Sequence, residues 1–130
     1  MILVFDTSVI IGLERKEKNT IEKVGELSKI YNSQPHTTFV TYFELVYGIL
    51  NRTIANQNKS IEFLKNFSCL GATEKTANHL AKLKHKFDKK GEKIPLADLI
   101  IASQVLENNA TLLTKDRSFE KIDDIRTIII

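Results

Sequence analysis

Four carboxylates, Asp6, Glu44, Asp98 and Asp116, sit in otherwise apolar segments, where a charge is costly unless something compensates it. Asp6 ends the run Ile2-Leu3-Val4-Phe5, and Glu44 interrupts Tyr42-Phe43-Glu44-Leu45-Val46-Tyr47. Asp98 precedes Leu99-Ile100-Ile101-Ala102, and Asp116 follows Leu112-Leu113-Thr114-Lys115. A bound divalent cation would compensate all four, and only folding can bring such widely spaced residues together. Hard oxygen donors without a set of His or Cys point to Mg²⁺ or Mn²⁺, which keep several waters and take one or two carboxylates per ion. Such a cluster can polarise a phosphodiester, activate a water for in-line attack and stabilise the leaving oxygen.

Each acid also has a plainer explanation. Asp6 is a favourable helix N-cap, Asp98 complements the positive end of a helix dipole, and Asp116 suits a turn with Arg117 and Ser118. Glu44, three residues after Thr41, completes a capping box. The set is more specific than any member. His36, His79 and His85 show no ligand spacing, so none is proposed as a general base.

The elements that must position these acids follow from periodicity. Ile2 to Phe5 reads as a buried strand, and Asp6-Thr7-Ser8 leads into a helix carrying Val9, Ile10 and Leu13. Ile21, Val24, Leu27 and Tyr31 continue at helical spacing. The break from Asn32 to Pro35 leads to a second strand, His36 to Val40. Thr41 is expected to cap a helix running to about Arg52, apolar nearly all round except for Glu44; Tyr42 and Tyr47 on it could stack on bases, with core packing the expectation. A further helix shows Ile61, Leu64 and Phe67 on one face, and Cys69 to Ala72 fits a short third strand. Ala77, Leu80, Leu83 and Phe87 mark a long helix from after Thr73 to Gly91. Pro95 opens a central helix from Leu96 to about Asn108. Thr111 to Thr114 and Arg126 to Ile130 are the last two strands. Strands alternating with helices imply an α/β fold with a mostly parallel five-stranded sheet and helices on both faces. In such sheets ligands bind beyond the carboxyl ends of the strands, where Asp6 and Asp116 fall.

At 130 residues and 42% hydrophobic content, the chain (1–130) fits one domain with a real core. The single Cys69 excludes an internal disulfide and a thiolate zinc site. The start lacks a basic leader, and no apolar stretch approaches the roughly 20 residues of a membrane span; a soluble cytoplasmic protein is expected. Nineteen Lys and Arg against sixteen Asp and Glu give +3; with four acids set aside, the remaining surface is more basic than that total, so nucleic acid is permitted. Lys82, Lys86, Lys89, Lys90 and Lys93 form a stripe that could meet RNA phosphates or be an ordinary solvated helix face.

Taken together, Asp6-Thr7-Ser8 after the first strand, Thr41-x-x-Glu44-x-x-x-Gly48-Ile49, Pro95-x-x-Asp98-x-x-Ile101-Ala102 and Leu113-Thr114-x-Asp116-x-x-Phe119 resemble, in order and spacing, the four motifs of PIN-domain ribonucleases. The compact size is most similar to the VapC toxin type. That resemblance implies a cytoplasmic Mg²⁺- or Mn²⁺-dependent endoribonuclease, usually a homodimer, silenced by an antitoxin protein. It assigns Asp6, Asp98 and Asp116 as metal ligands, directly or through water. It gives Glu44 to the metal or to the attacking water, and it makes Thr7, Ser8 and Thr114 the hydroxyls that hold those carboxylates. Thr41 stands where many members have Ser, and Ser118 where some carry a further acid, which leaves one or two ions open.

Two other classes compete. A haloacid-dehalogenase-type phosphatase needs a second Asp two residues after the first, and Ser8 stands there. A non-catalytic interaction module on the PIN fold would typically have lost an acid, and none is missing. The apolar surplus in Tyr42 to Leu50 and Ile61 to Phe67 marks the expected dimer surface.

Overall fold

A computed structural model describes all 130 residues. Five parallel strands form one sheet: β1 (Leu3–Phe5), β2 (His36–Thr37), β3 (Ser68–Cys69), β4 (Thr111–Thr114) and β5 (Arg126–Ile129), in the order β3-β2-β1-β4-β5. Alternation along the strands splits the core between the two faces. Leu3, Phe5 and Leu113 pack with α1 (Thr7–Glu14), α3 (Phe39–Ile49) and α4 (Ile54–Leu64). Val4 and Leu112 pack with α5 (Glu74–Lys90) and α6 (Leu96–Glu107). The helix α2 (Lys18–Ile30) completes the first layer through Val24 and Leu27. No helix is long and apolar enough to cross a membrane.

The chain leaves β1 toward β2 on one side, while β4 joins β1 on the other. The strand order therefore reverses between β1 and β4, and the crevice beyond their carboxyl ends is where open α/β sheets bind ligands. The hydroxyls of Thr73 and Thr76, at the start of α5, donate to Glu107 at the end of α6, at 3.1 and 2.5 Å. The two helices are thus antiparallel, and the α5–α6 turn, Gly91 to Pro95, lies at the same end of the molecule as Asp98. Gly91 takes φ 71°, the left-handed stop that a residue without Cβ adopts readily.

Several boundaries differ from expectation; β1 begins at Leu3 rather than Ile2, and β5 ends at Ile129 rather than Ile130. The second strand ends at Thr37 rather than Val40, and the following helix starts at Phe39 and stops at Ile49. Its cap is Thr38, not Thr41: Thr38 is extended, and its hydroxyl accepts from the Thr41 N–H at 3.2 Å. Both threonines carry the hydroxyl that capping needs, but the Thr41 hydroxyl is buried without a partner, and burial of Val40 and Thr41 on the inner face favours the earlier one. The third strand is Ser68–Cys69 rather than Cys69–Ala72, because the Leu70 and Gly71 carbonyls are taken by the buried Gln104 amide at 2.9 and 3.1 Å. Phe67 lies beyond the end of α4, with its ring edge-on to Phe5 at 5.6 Å.

Helix α3 carries the largest departure. Tyr42 and Tyr47, expected in the core, are 41% and 65% exposed, and Phe39, Phe43 and Leu50 beside them are exposed too. Val40, Thr41, Leu45 and Ile49 are buried, and Val46 packs partly against the core. A helix apolar all round need not be buried all round within one chain; its outer side here is an exposed apolar patch. Phe63, Leu64 and Phe67, by contrast, pack against the core of the first layer, while Ile61 stays exposed.

Candidate active site

Each acid reaches the β1/β4 crevice on a different element. Asp6 follows β1, its N–H bonded to the Leu113 carbonyl at 2.9 Å. It occupies the backbone N-cap position of α1, yet its side chain makes no capping bond. Instead Asp6 Oδ2 accepts from Thr114 Oγ1 at 2.7 Å across the two central strands. Burial raises the Asp6 carboxyl above its ordinary value, against the Thr114 hydroxyl, which lowers it, and with the Asp116 charge, which raises it further. The Thr7 N–H and the Ser8 hydroxyl, in the first turn of α1, also lower it, so the carboxylate faces both the helix start and β4 rather than serving only as a cap.

Asp98 lies in the first turn of α6, where the helix dipole alone would favour the charged form. Its carboxyl moves the other way: burial, then the negative charges of Asp116, Asp6 and Glu44, push it up to about 6. All three other acids thus act on Asp98 at once, which places the four in one electrostatic neighbourhood. None of the four is in an ion pair; the basic side chains near them are committed elsewhere, Lys115 to Glu17 at 2.6 Å and Arg117 to Glu120 at 3.0 Å.

Asp116 is exposed and caps a short 3₁₀ helix, Arg117–Lys121, its Oδ1 accepting from the Ser118 N–H at 2.9 Å. The turn reading of this residue is therefore realised, with Oδ2 left free of protein partners. Glu44 is exposed on α3, and since Thr41 is not the cap, a capping box does not account for it. Its Oε1 accepts from Thr7 Oγ1 at 3.0 Å, a link from the start of α1 to α3.

The three hydroxyls hold this arrangement in different ways. Thr114 Oγ1 donates to Asp6 and accepts from the Asp116 N–H at 3.0 Å, coupling two of the acids through one atom. Thr7 orients Glu44. Ser8 Oγ accepts from the Lys115 N–H at 3.1 Å, which pins the backbone that carries Asp116, and its hydroxyl also helps to hold the Asp6 carboxylate. Replacing Thr114 with Val keeps the shape and removes both of its bonds. About 10- to 100-fold loss in turnover or metal affinity is expected, the usual cost of losing a group that orients a ligand; metal titration of the folded variant checks it.

Do these residues fit a divalent cation? No three acidic, His or Cys side chains already close on one point at ligating distance, so this is no preformed all-protein cage. Mg²⁺ does not require one, since it keeps waters and binds through one or two carboxylates. Four acids in one neighbourhood, without a basic counter-charge, have the chemistry a hard dication satisfies.

The lysine stripe is less uniform than its spacing suggests. Lys86 is held by Asp123 and Asp124 at 3.0 and 2.8 Å, and with Lys90 it lies over the Phe87 ring. Lys82, Lys89 and Lys93 make no ion pair; Lys93 shares a surface hollow with Lys121 near the α5–α6 turn. A polar cluster that the sequence does not announce lies at the junction of α1, α3 and α4, where Arg52 meets Glu14 and Ser60. No periodic signal joins those three positions; only the packing of three helices does.

This fold and this set of acids define a class. The PIN domain family model matches residues 3–125, and the chain belongs to that family. Ribonuclease VapC2 of Rickettsia felis is 27% identical over 128 residues, covering 96% of this chain and 95% of that protein. Among solved structures, VapBC2 from Rickettsia felis bound to a promoter DNA fragment superposes with a TM-score of 0.86 at 24% identity, over 99% of this chain and 98% of that one. VapBC-1 from nontypeable Haemophilus influenzae gives 0.80 at 28% identity, with the same coverage.

Proposed function

We propose that this chain is a Mg²⁺- or Mn²⁺-dependent endoribonuclease of the cytoplasm, acting as the toxin of a toxin–antitoxin pair, with residues 1–130 forming one nuclease domain. The carrying observation is the uncompensated cluster of Asp6, Glu44, Asp98 and Asp116 at the strand-order reversal. Membership of the PIN family and the VapC relatives support RNA as substrate and an antitoxin as partner. The non-catalytic reading gains nothing, because all four acids are present. The phosphatase reading fails at position 8, where a second Asp is needed and Ser8 stands.

Asp6, Asp98 and Asp116 would hold the cation, directly or through its waters, with Thr114 fixing the first and third relative to each other. A bound Mg²⁺ or Mn²⁺ supplies the positive charge that polarises the phosphodiester and makes water nucleophilic near neutral pH. Glu44, exposed and oriented by Thr7, is the acid free to accept the proton of an attacking water or to bind the cation from the α3 side. Hydrolysis then breaks one P–O bond, water adding to phosphorus and a proton passing to the leaving oxygen.

Mn²⁺ titration by calorimetry tests the site. Saturable binding by the wild type that Asp6→Asn abolishes is expected; equal binding by both would remove the acids from the metal site.

The exposed face of α3 is the surface through which the chain would dimerise. Phe39, Tyr42, Phe43, Val46, Tyr47 and Leu50 line an apolar hollow of about 390 Å³, and the Phe43 and Tyr47 rings stack at 6.0 Å. Burying several such aromatics contributes about 1.5–3 kcal/mol each. Phe43→Lys with Tyr47→Lys should shift a dimer to monomer in sedimentation at micromolar concentration while leaving the fold intact. A wild type already monomeric there would contradict dimerisation.

A further inference from the structure

Beside the acid cluster, α1, α3 and α4 enclose two adjoining hollows that the four acids do not explain. A narrow cleft of about 50 Å³ has Glu44 in its wall, and a wider hollow of about 520 Å³ opens next to it. Glu14, Arg52, Ser60 and Phe63 line both, so the two adjoin; the narrow one, largely apolar, admits no nucleotide, and the wider one is the space that can take a chain running past Glu44. The wider one also carries Arg15 and Lys59, and neither is ion-paired. Three cations thus surround one anion, and that anion, Glu14, is already committed to Arg52.

The guanidinium of Arg52 is ordered in advance. Its Nη1 alone donates to both Glu14 oxygens, at 3.2 Å each, and to Ser60 Oγ, while its main-chain carbonyl is held by Gln57 at 2.8 Å. Nε and Nη2 make no protein hydrogen bond, which leaves three N–H donors of a fixed fork available, the geometry that suits a phosphate. A side chain clamped at one nitrogen and free at the others loses little further entropy on gripping a ligand. Phe63, half-buried and tilted against Phe67 at 5.7 Å, gives the hollow one apolar wall. Cations that follow a backbone, with an aromatic beside them, are the elements of single-strand recognition.

We propose that this hollow is the track along which single-stranded RNA reaches the acids, with Arg52 as a positioning residue for a backbone phosphate flanking the scissile one, and Arg15 and Lys59 holding phosphates further out. The inference rests on the ribonuclease reading and adds to it the flank from which the substrate enters. It also assigns Lys86 a lesser role, since two acids hold it.

The test is fluorescence anisotropy of a labelled single-stranded RNA in EDTA, over a series of salt concentrations. Wild type is compared with Arg15→Gln/Lys59→Gln and with Lys89→Gln/Lys93→Gln, which removes the same charge from the α5 side. Both pairs are surface changes, and Arg52→Lys, which keeps the charge but not the fork, serves as a third variant. The cavity pair should bind roughly tenfold more weakly, and its log–log salt dependence should flatten by about 0.7 for each phosphate no longer neutralised. Arg52→Lys should weaken binding at an unchanged salt slope, and the α5 pair should change little. RNA binding by the cavity pair equal to wild type would overturn the proposal and leave the hollow to a peptide ligand; so would a loss in the α5 pair as large as in the cavity pair, or a wild type that binds no RNA. The ribonuclease reading fails separately, if RNA is bound but never cut with metal present.

Discussion

Asp98→Asn should lose RNA cutting by about 10²–10³-fold or more, the range seen when a single preorganised electrostatic group is removed from a transition state, and should at the same time stabilise the metal-free protein. The two effects come from one cause. Burial and the charges of Asp116, Asp6 and Glu44 raise the Asp98 carboxyl to about 6 from an ordinary value of 3.8. The folded state therefore binds more protons than the unfolded one between about pH 4 and pH 6, and stability falls as pH rises through that window. Below about pH 4 the group is protonated in both states and Asn makes no difference. Above about pH 6 the wild type carries the repulsion and the variant does not. The full shift would be worth about 3 kcal/mol, but Asp98 is partly exposed, and solvent screening reduces the expected gain to about 1–2 kcal/mol. Denaturant midpoints in EDTA at pH 4 and pH 7.5 check this. With saturating Mn²⁺ the order should reverse, because only the wild type gains the full binding free energy. A variant less stable than wild type in EDTA at pH 7.5 would mean that Asp98 is a structural residue.

The largest stability loss is expected at Gln104. This fully buried amide accepts from the Phe39 N–H at 3.0 Å and donates to the Leu70 and Gly71 carbonyls at 2.9 and 3.1 Å. One side chain on α6 thereby satisfies the start of α3 and the turn leaving β3. Gln104→Leu fills similar volume but strands three backbone groups, each costing about 1–3 kcal/mol when left unpaired and buried. Relaxation and water recover part of that, so a net loss of roughly 3 kcal/mol is expected, enough to move a thermal midpoint by many degrees. Ser103→Ala next to it should cost little, because that hydroxyl only doubles a bond to the Leu99 carbonyl within its own helix. Equal effects of the two changes in urea unfolding would deny Gln104 its bridging role.

Much of this architecture is legible from the chain. The short apolar runs Ile2–Phe5 and Thr111–Thr114 read as buried strands and are found as such, the first from Leu3, and the Thr73 and Gly91 signals bound α5 as it is found. The four acids stand out for the same reason that they are functional candidates: a charge inside an apolar run has no propensity to explain it. What stays hidden depends on contacts across the chain. The choice between Thr38 and Thr41 as cap is made by which neighbours α3 buries, and the third strand is shortened by Gln104, 34 positions away from Leu70 in sequence. Tyr42 and Tyr47 read as core because apolarity does not say whether the buried side faces this chain or another. Arg52, Glu14 and Ser60 meet only because three helices pack, and no spacing announces them.

The central claim is that these acids hold a metal that cuts RNA, and cleavage of a mixed pool of structured and single-stranded RNAs with Mg²⁺ or Mn²⁺ tests it most directly. The wild type should cut, and cutting should vanish both in EDTA and in Asp6→Asn protein whose fold is verified by circular dichroism. Cutting that survives Asp6→Asn or EDTA would contradict that claim, because the activity would then come from somewhere other than the four carboxylates.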